Sequence, residues 1–101
     1  MLRLIKVKGD SLVPDFREGD FVVTIKIPLL WYKLHPGDIV VFRHPEYGLM
    51  IKKVEHLSLD GESLFVIGTH PDSIDSRRFG AVPMRNLIGK VIWHVHKPGT
   101  A

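Results

Sequence analysis

A serine in a glycine-flanked bend and two lysines in an apolar run are the residues of this chain best suited to chemistry. Ser11 lies within residues 9–14 (GDSLVP), and Lys52 and Lys53 lie within residues 50–54 (MIKKV). A serine hydroxyl is a weak nucleophile until a neighbouring base removes its proton, and an amine can act as that base. The two segments therefore predict a serine nucleophile paired with a lysine base. The alternative is that Ser11 is an ordinary turn or capping residue.

A lysine can act as the base only where its amine is neutral. A solvated lysine has a pKa of about 10.4 and is protonated at neutral pH, whereas burial can lower that pKa by roughly 3–5 units. Alternation along a strand puts Lys52 on one face with Met50 and Val54, and Lys53 on the other face with Ile51. Both faces carry apolar residues, so the pattern does not determine which lysine points inward. The other interpretation is that the lysines lie on a solvated face of a half-buried strand.

Four short motifs, taken in order, resemble those of the signal peptidase I family of serine peptidases, which use a Ser/Lys dyad. Each motif is short, but their order and spacing together make the resemblance specific, and it runs over nearly the whole chain. The motifs are residues 9–14 with 19–20 (GDSLVP, GD), 36–42 (PGDIVVF), 51–54 (IKKV) and 72–83 (DSIDSRRFGAVP), followed by a strand-like segment at 88–91 (IGKV).

The resemblance implies a role for five residues. Ser11 would be the nucleophile and Lys52 the general base, while the Ser73 hydroxyl would hydrogen-bond and orient the lysine amine. Asp75 and Arg77 would form an ion pair that holds the last motif in place, and residues two apart do share one side of an extended chain. The alternative for this pair is an exposed ion pair that contributes little to stability.

Three positions depart from the family pattern. Leu12 follows the nucleophile where methionine is common, which is an apolar exchange of similar size. Gly9 stands where some members have a serine that stabilises the oxyanion, so backbone N–H groups near Ser11 would have to supply that stabilisation. Residues 68–70 read Gly-Thr-His where the family usually has Gly-Asp-Asn, a difference that concerns the geometry of the last motif and not the dyad.

The chain predicts a single all-β domain over residues 1–101. Its 45% hydrophobic and 25% charged residues are typical of a globular protein. Short strand-like runs separated by Gly and Pro favour a small, partly open β-barrel or packed antiparallel sheets, with a helical turn closing at Arg85-Asn86. The resemblance implies a catalytic core that lacks the family's accessory insertion. The predicted strands are residues 2–7, 20–27, 38–43, 49–56, 63–67 and 87–96.

Charge and hydropathy bear on the partners. The net charge of +3 comes without a dense basic cluster or a nucleic-acid motif, so we expect no nucleic-acid partner. No apolar run approaches the roughly 20 residues of a membrane-spanning helix, so we expect a cytoplasmic or peripherally membrane-associated protein without an anchor. A short apolar segment is the candidate for peripheral contact with a bilayer, the alternative being that it packs over the core or lines the substrate cleft. Its residues are Ile27, Leu29, Leu30, Trp31 and Tyr32.

Six histidines raise the question of a metal site. His94 and His96 are two apart on a predicted strand and would point the same way. The chain has no cysteine and no HExxH motif to complete a zinc site. We therefore expect no metal and no cofactor, and we interpret these histidines as surface or terminal residues.

These observations predict a serine endopeptidase that removes an N-terminal leader from a precursor bound in extended form. Residues 79–83 and 91–93 and the short anchorless form are similar to the nickel-type superoxide dismutase maturation proteases. One alternative is a self-cleaving peptidase of the SOS-response repressor type, against which stand the mere ten residues before Ser11. The other is a catalytically idle binding module on the same fold.

Overall fold

The computed structural model describes residues 2–7, 19–26, 34–68 and 74–95, whose strands form one antiparallel sheet. The strand order is β1-β2-β7-β3-β4-β5-β6, with β1 and β6 at the two ends, so the sheet is open. The prediction of an all-β fold is confirmed. The strands are β1 (Leu2–Lys6), β2 (Phe21–Ile25), β3 (Ile39–His44), β4 (Gly48–Leu57), β5 (Ser63–Ile67), β6 (Val82–Pro83) and β7 (Leu87–Val95).

A four-residue helix, α1 (Ser76–Phe79), was not among the predicted elements. Asp75 is its N-cap, and one side-chain oxygen accepts a hydrogen bond from the backbone N–H of Arg77 at 3.0 Å. Such a cap satisfies an N–H group that the first turn of a helix leaves without an intrahelical partner. A 3₁₀ turn over Met84–Asn86 follows β6, where the sequence predicted a helical turn.

Strand β3 lies in the middle of the sheet and is buried on both faces. Val40 and Phe42 point to one face and Val41 to the other, as alternation requires. The sheet therefore has a separate apolar core on each side. The first core contains Leu34, Val40, Phe42, Val54, Leu64, Val66, Val82 and Leu87. The second contains Val7, Val22, Val41 and Ile51.

Strands β2 and β7 approach each other unusually closely at Gly89. Their pairing shifts register between Val23 and Thr24, and Gly89 of β7 faces the shifted segment. A Cβ atom at Gly89 would lie 2.9 Å from the backbone oxygen of Ile25 and 3.0 Å from the Cβ atom of Thr24. Only glycine fits between these backbone and side-chain atoms without moving one of the strands.

We expect Gly89→Ala to destabilise the protein by about 1–3 kcal/mol, as overpacking of a closed site typically does. The measurement is the free energy of unfolding in urea. Ile92→Ala, at an exposed position of the same strand, is the control and should change that free energy by no more than about 0.5 kcal/mol. Equal effects of the two substitutions would contradict the steric argument.

Candidate active site

Lys52 is the lysine that the fold buries. Its exposed fraction is 1%, and it pairs across the sheet with Val40 of β3. Its neighbours on the same face of β4 are Met50 and Val54, both packed in the first core. Lys53 points to the other face and is only partly buried. The structure therefore decides what the alternation of the sequence left open.

Burial lowers the pKa of Lys52. Removal of the ammonium from water lowers the pKa below its ordinary value of 10.5, the Asp75 carboxylate opposes that change, and the Arg77 guanidinium adds to it. Desolvation is the largest of these effects, so the neutral amine is favoured relative to a lysine in water. A neutral amine is the form that can accept a proton from a hydroxyl.

The Asp75 carboxylate is held in a fixed position and kept ionised. Its exposed fraction is 1%, and its Oδ2 atom accepts hydrogen bonds from the Gly68 N–H at 2.9 Å and from the Arg77 guanidinium at 2.8 Å. Burial by itself would raise the pKa of Asp75, but the hydrogen bonds from Arg77 and Gly68 outweigh it and lower that pKa. Asp75 therefore presents a negative charge in the interior near Lys52.

The ion pair between Asp75 and Arg77 is present at 2.8 Å, but not in the extended geometry that the sequence analysis assumed. Asp75 has extended backbone angles as the helix cap, whereas Arg77 lies in the first turn of α1. The backbone N–H and the guanidinium of Arg77 both donate to the same carboxylate. One side chain thus caps the helix and neutralises an arginine at the same time.

Two hydrogen bonds fasten the start of α1 to β5. The Val66 N–H donates to the Ser76 hydroxyl at 2.8 Å, and the Gly68 N–H donates to Asp75. Val66 in turn pairs with Val54 of β4, two residues beyond Lys52. The sheet and the helix cap therefore position the carboxylate relative to the lysine, although the two residues are far apart in sequence.

Ser11 and Ser73, together with the predicted contact segment 27–32, Thr69, His70 and His96, lie outside the described residues. The two ends of the segment that carries Ser11 are nevertheless defined. The Val7 N–H donates to the Asp20 carbonyl at 2.7 Å, and the Gly19 N–H donates to the Val7 carbonyl at 3.0 Å. Gly19 has a φ of 94°, a backbone conformation that favours glycine. The pairing of Ser11 with Lys52 stays a prediction.

An ion pair joins β7 to the second sequence motif. The Lys90 amine lies 3.4 Å from the Asp38 carboxylate, and that carboxylate also accepts the His35 N–H at 2.9 Å. Asp38 belongs to the second motif and Lys90 to the final strand segment. The ion pair is a structural reason for both charged residues, so neither needs a role in catalysis to explain its presence.

His94 makes a contact that the sequence analysis missed. Its Nε2 atom lies 2.7 Å from Oδ2 of Asp20, and the two side chains are 19% and 5% exposed. The interpretation of His94 as a surface residue was therefore wrong. The sequence carried no signal for this contact, because His94 faces the interior only through its pairing with the buried Val22 of β2. Within the described ranges, no three His, Cys, Asp or Glu side chains come together as metal ligands.

Comparison with known proteins finds matches to the part of the chain that holds the buried Lys52 and the helix-capping Asp75. Residues 50–96, which include Lys52, Asp75 and Arg77, match the family described as signal peptidase, peptidase S26. The chain is also 36% identical over 59 residues to signal peptidase I V of Bacillus subtilis (strain 168). The resemblance to the signal peptidase I family is confirmed. The region matched in the family does not reach back to Ser11.

The match to the Bacillus signal peptidase covers part of each protein. It spans 58% of this chain and 34% of the relative, so the chain corresponds to about a third of that protein's length. Neither similarity extends to the nickel-type superoxide dismutase maturation proteases in particular.

One face of β1, β2 and β7 is apolar and exposed. Leu4, Val23 and Trp93 are neighbours across the three strands, on the face opposite the second core. Leu4 is 64% and Trp93 67% exposed, and Leu2 and Val95 also lie open on these strands. An exposed apolar patch of this kind commonly marks an interaction surface. Among the described residues, no helix has the length and hydropathy needed to cross a bilayer.

We expect the stability cost of burying Lys52 to depend on pH. Because the folded-state pKa is lowered below 10.5, the unfolded chain binds more protons between the two pKa values, and wild-type stability rises with pH in that window. Lys52→Met should therefore be more stable than wild type at neutral pH, by about 1.4 kcal/mol for each unit of lowering. This advantage should shrink as the pH approaches 10.5, measured by urea unfolding from pH 7 to 10.

Lys53→Met is the matched control, since the next side chain along β4 is only partly buried on the other face. We expect it to change stability less than Lys52→Met at neutral pH. A stability difference for Lys52→Met that stays constant or widens as the pH rises would contradict the inferred direction of the pKa.

Proposed function

We propose that this protein is a serine endopeptidase that uses a Ser11/Lys52 dyad to remove an N-terminal leader from a precursor protein. The observation that carries the proposal is the buried Lys52, whose pKa is lowered by desolvation. A lysine buried on the strand that matches a peptidase family has few structural explanations, because an apolar residue there would cost less free energy. The similarity to the signal peptidases supports the reaction class.

The reaction would proceed through an acyl-enzyme. The neutral Lys52 amine takes the proton of the Ser11 hydroxyl while the Ser11 oxygen attacks the scissile carbonyl carbon. Backbone N–H groups near Ser11 stabilise the oxyanion, and the ammonium returns its proton to the leaving amine. That amine leaves as the new N-terminus of the shortened protein, and the leader stays bound to Ser11 as an ester. The neutral Lys52 amine then takes a proton from a water molecule that attacks the ester carbonyl. The amine returns this proton to the Ser11 oxygen, and the leader leaves with a free carboxyl end.

The substrate would bind as an extended chain that adds main-chain hydrogen bonds at a strand edge. In this proposal Ser73 orients the Lys52 amine, and Asp75 and Arg77 hold the last motif. The position of Asp75 supports this arrangement, because its carboxylate raises the Lys52 pKa against the effect of burial. Such a balance suits a base, since an amine with too low a pKa takes up a proton weakly.

We expect Ser11→Ala and Lys52→Ala each to reduce kcat for cleavage of an added precursor by at least about 10³-fold, because each removes one member of a unit that acts together. Lys53→Ala, which removes the neighbouring lysine on the opposite face, should retain most of the activity. The measurement is the rate of leader release, followed by mass spectrometry. Circular dichroism of each variant establishes that it is folded.

The same experiment separates the alternatives. Cleavage of the chain itself on raising the pH, without added precursor, would favour a self-cleaving regulator. Precursor binding without turnover, unaffected by either substitution, would favour an idle binding module. Either result would overturn the proposed peptidase.

The narrower proposal is that the precursor is a nickel-type superoxide dismutase carrying its leader. It is supported by the sequence resemblance of residues 79–83 and 91–93. Two substrates decide it in the same assay, the dismutase precursor and an unrelated secretory precursor. Faster cleavage of the secretory precursor would remove the narrower assignment and leave the peptidase assignment intact.

We also propose peripheral contact with a membrane surface through Ile27, Leu29, Leu30, Trp31 and Tyr32. The support comes from the neighbouring fold, because this segment begins two residues after the end of β2, and β2 contributes to the exposed apolar face. Tryptophan and tyrosine favour the bilayer interface, and the net charge of +3 suits an anionic surface.

We expect the protein to cosediment with vesicles of phosphatidylglycerol and phosphatidylcholine, and less so at high salt. Two double variants test the contact, one with Leu30→Ser and Trp31→Ser and the other with Leu4→Ser and Trp93→Ser. Each should weaken vesicle binding by about tenfold or more, because each removes several apolar groups that would be buried in the bilayer. Leu59→Ser, at an exposed hairpin position away from this face, is the control. No vesicle binding by wild type, or an equal effect of Leu59→Ser, would contradict the proposal.

A further inference from the structure

We infer that Asp20 and His94 are positioning residues that fix the segment carrying Ser11 to the sheet. The inference rests on the proposed function, and it concerns residues outside the dyad and its supporting hydroxyl and ion pair. Three observations carry it. They are the short contact between two largely buried side chains, its place at the end of the segment, and the backbone hydrogen bonds that close the segment.

The contact between Asp20 and His94 lies largely in the interior of the protein. Oδ2 of Asp20 lies 2.7 Å from Nε2 of His94, and the side chains are 5% and 19% exposed. A carboxylate buried to this degree is strongly destabilised unless it is hydrogen-bonded or paired with a charge. His94 supplies one such partner from a different strand, so Asp20 and β7 constrain each other.

Asp20 also occupies the end of the segment in the backbone. Its carbonyl accepts the Val7 N–H at 2.7 Å, and the preceding Gly19 N–H donates to the Val7 carbonyl at 3.0 Å. Val7 and Gly19, the described residues that flank the stretch carrying Ser11, are therefore joined by backbone hydrogen bonds. A displacement of Asp20 would move both ends of the segment together.

Strand pairing places the His94 side chain next to Asp20. Val22 of β2 pairs with His94 of β7, so the imidazole lies beside β2 and close to Asp20. β7 is in turn joined to β3 by backbone pairing and by the ion pair between Lys90 and Asp38. β3 pairs with the strand of Lys52. The contact from Asp20 to His94 thus ties the segment of the nucleophile to the strands that hold the base.

The test compares amide hydrogen exchange at Val7 and Gly19, whose N–H groups donate the two closing hydrogen bonds, in four proteins. His94→Leu removes the nitrogen that faces Asp20, whereas His94→Gln keeps an N–H donor near the position of Nε2. His56→Leu is the control, because His56 also contacts a carboxylate, that of Glu55, but on an exposed strand surface. We expect exchange at Val7 and Gly19 to rise about tenfold in His94→Leu, as local opening becomes easier, and to stay near the wild-type rate in His94→Gln and His56→Leu.

The kinetic readout separates positioning from general stability. In His94→Leu we expect kcat for leader cleavage to fall about 10- to 100-fold, the cost of a small misplacement of a reacting group, while KM changes less than about twofold and His94→Gln restores most of kcat. Exchange at residues 39–44 of β3 should stay at the wild-type rate. Unchanged exchange at Val7 and Gly19, or an equal rise in residues 39–44, would overturn the inference.

A second variant covers the case in which His94→Leu does not fold. In the double variant Asp20→Asn with His94→Leu, the buried charge is removed together with its partner, so no uncompensated carboxylate remains. The same rise of exchange at Val7 and Gly19 is expected, and its absence would again overturn the inference. The exchange measurement requires no catalysis. If wild type cleaves no precursor, the proposed function fails while the positioning of the segment is still decided.

Discussion

The burial of one lysine side chain is the constraint to which the rest of this structure is fitted. An ammonium in an apolar core is costly, and this cost shifts the protonation equilibrium of Lys52 toward the neutral amine. Desolvation lowers the pKa of Lys52, and the nearby Asp75 carboxylate limits how far it falls. Asp75 can do so because hydrogen bonds from Arg77 and Gly68 lower its own pKa and keep it ionised in the interior. The short helix α1 is thus part of the electrostatic environment of the lysine.

The sheet makes this environment rigid. β3 is buried on both faces, and β4 lies between β3 and β5, so Lys52 extends from a strand that is paired on both sides. β5 then fastens α1 through Val66 and Gly68. Strand pairing and the hydrogen bonds at the start of α1 therefore hold the Asp75 carboxylate near Lys52. Rigid elements of this kind position reacting groups better than loops do.

Strand β7 connects the two halves of the molecule. It lies between β2, where the segment with Ser11 ends, and β3, which leads to the strand of Lys52. Polar contacts along β7 reach in both directions, from Lys90 to Asp38 and from His94 to Asp20. Next to Lys90, the absence of a side chain at Gly89 lets β2 and β7 approach each other closely. The outer face of β1, β2 and β7 is apolar and exposed, so the same strands also offer a surface to a partner.

The amino-acid sequence by itself determined the all-β class, six of the seven strands and the resemblance to the signal peptidases. Alternation, turn residues and motif spacing are local properties, so each can be recognised along the chain. Asp75 and Arg77 were recognised as a pair but assigned an extended geometry, because the capping role of Asp75 depends on a short helix with no periodic signal. The resemblance pointed to Lys52, but the burial of Lys52 and not Lys53, the contact of His94 with Asp20 and the proximity of Asp75 to Lys52 were decided only by the tertiary structure. Burial and charge depend on which strands become neighbours, and strands far apart in sequence become neighbours only when the sheet forms.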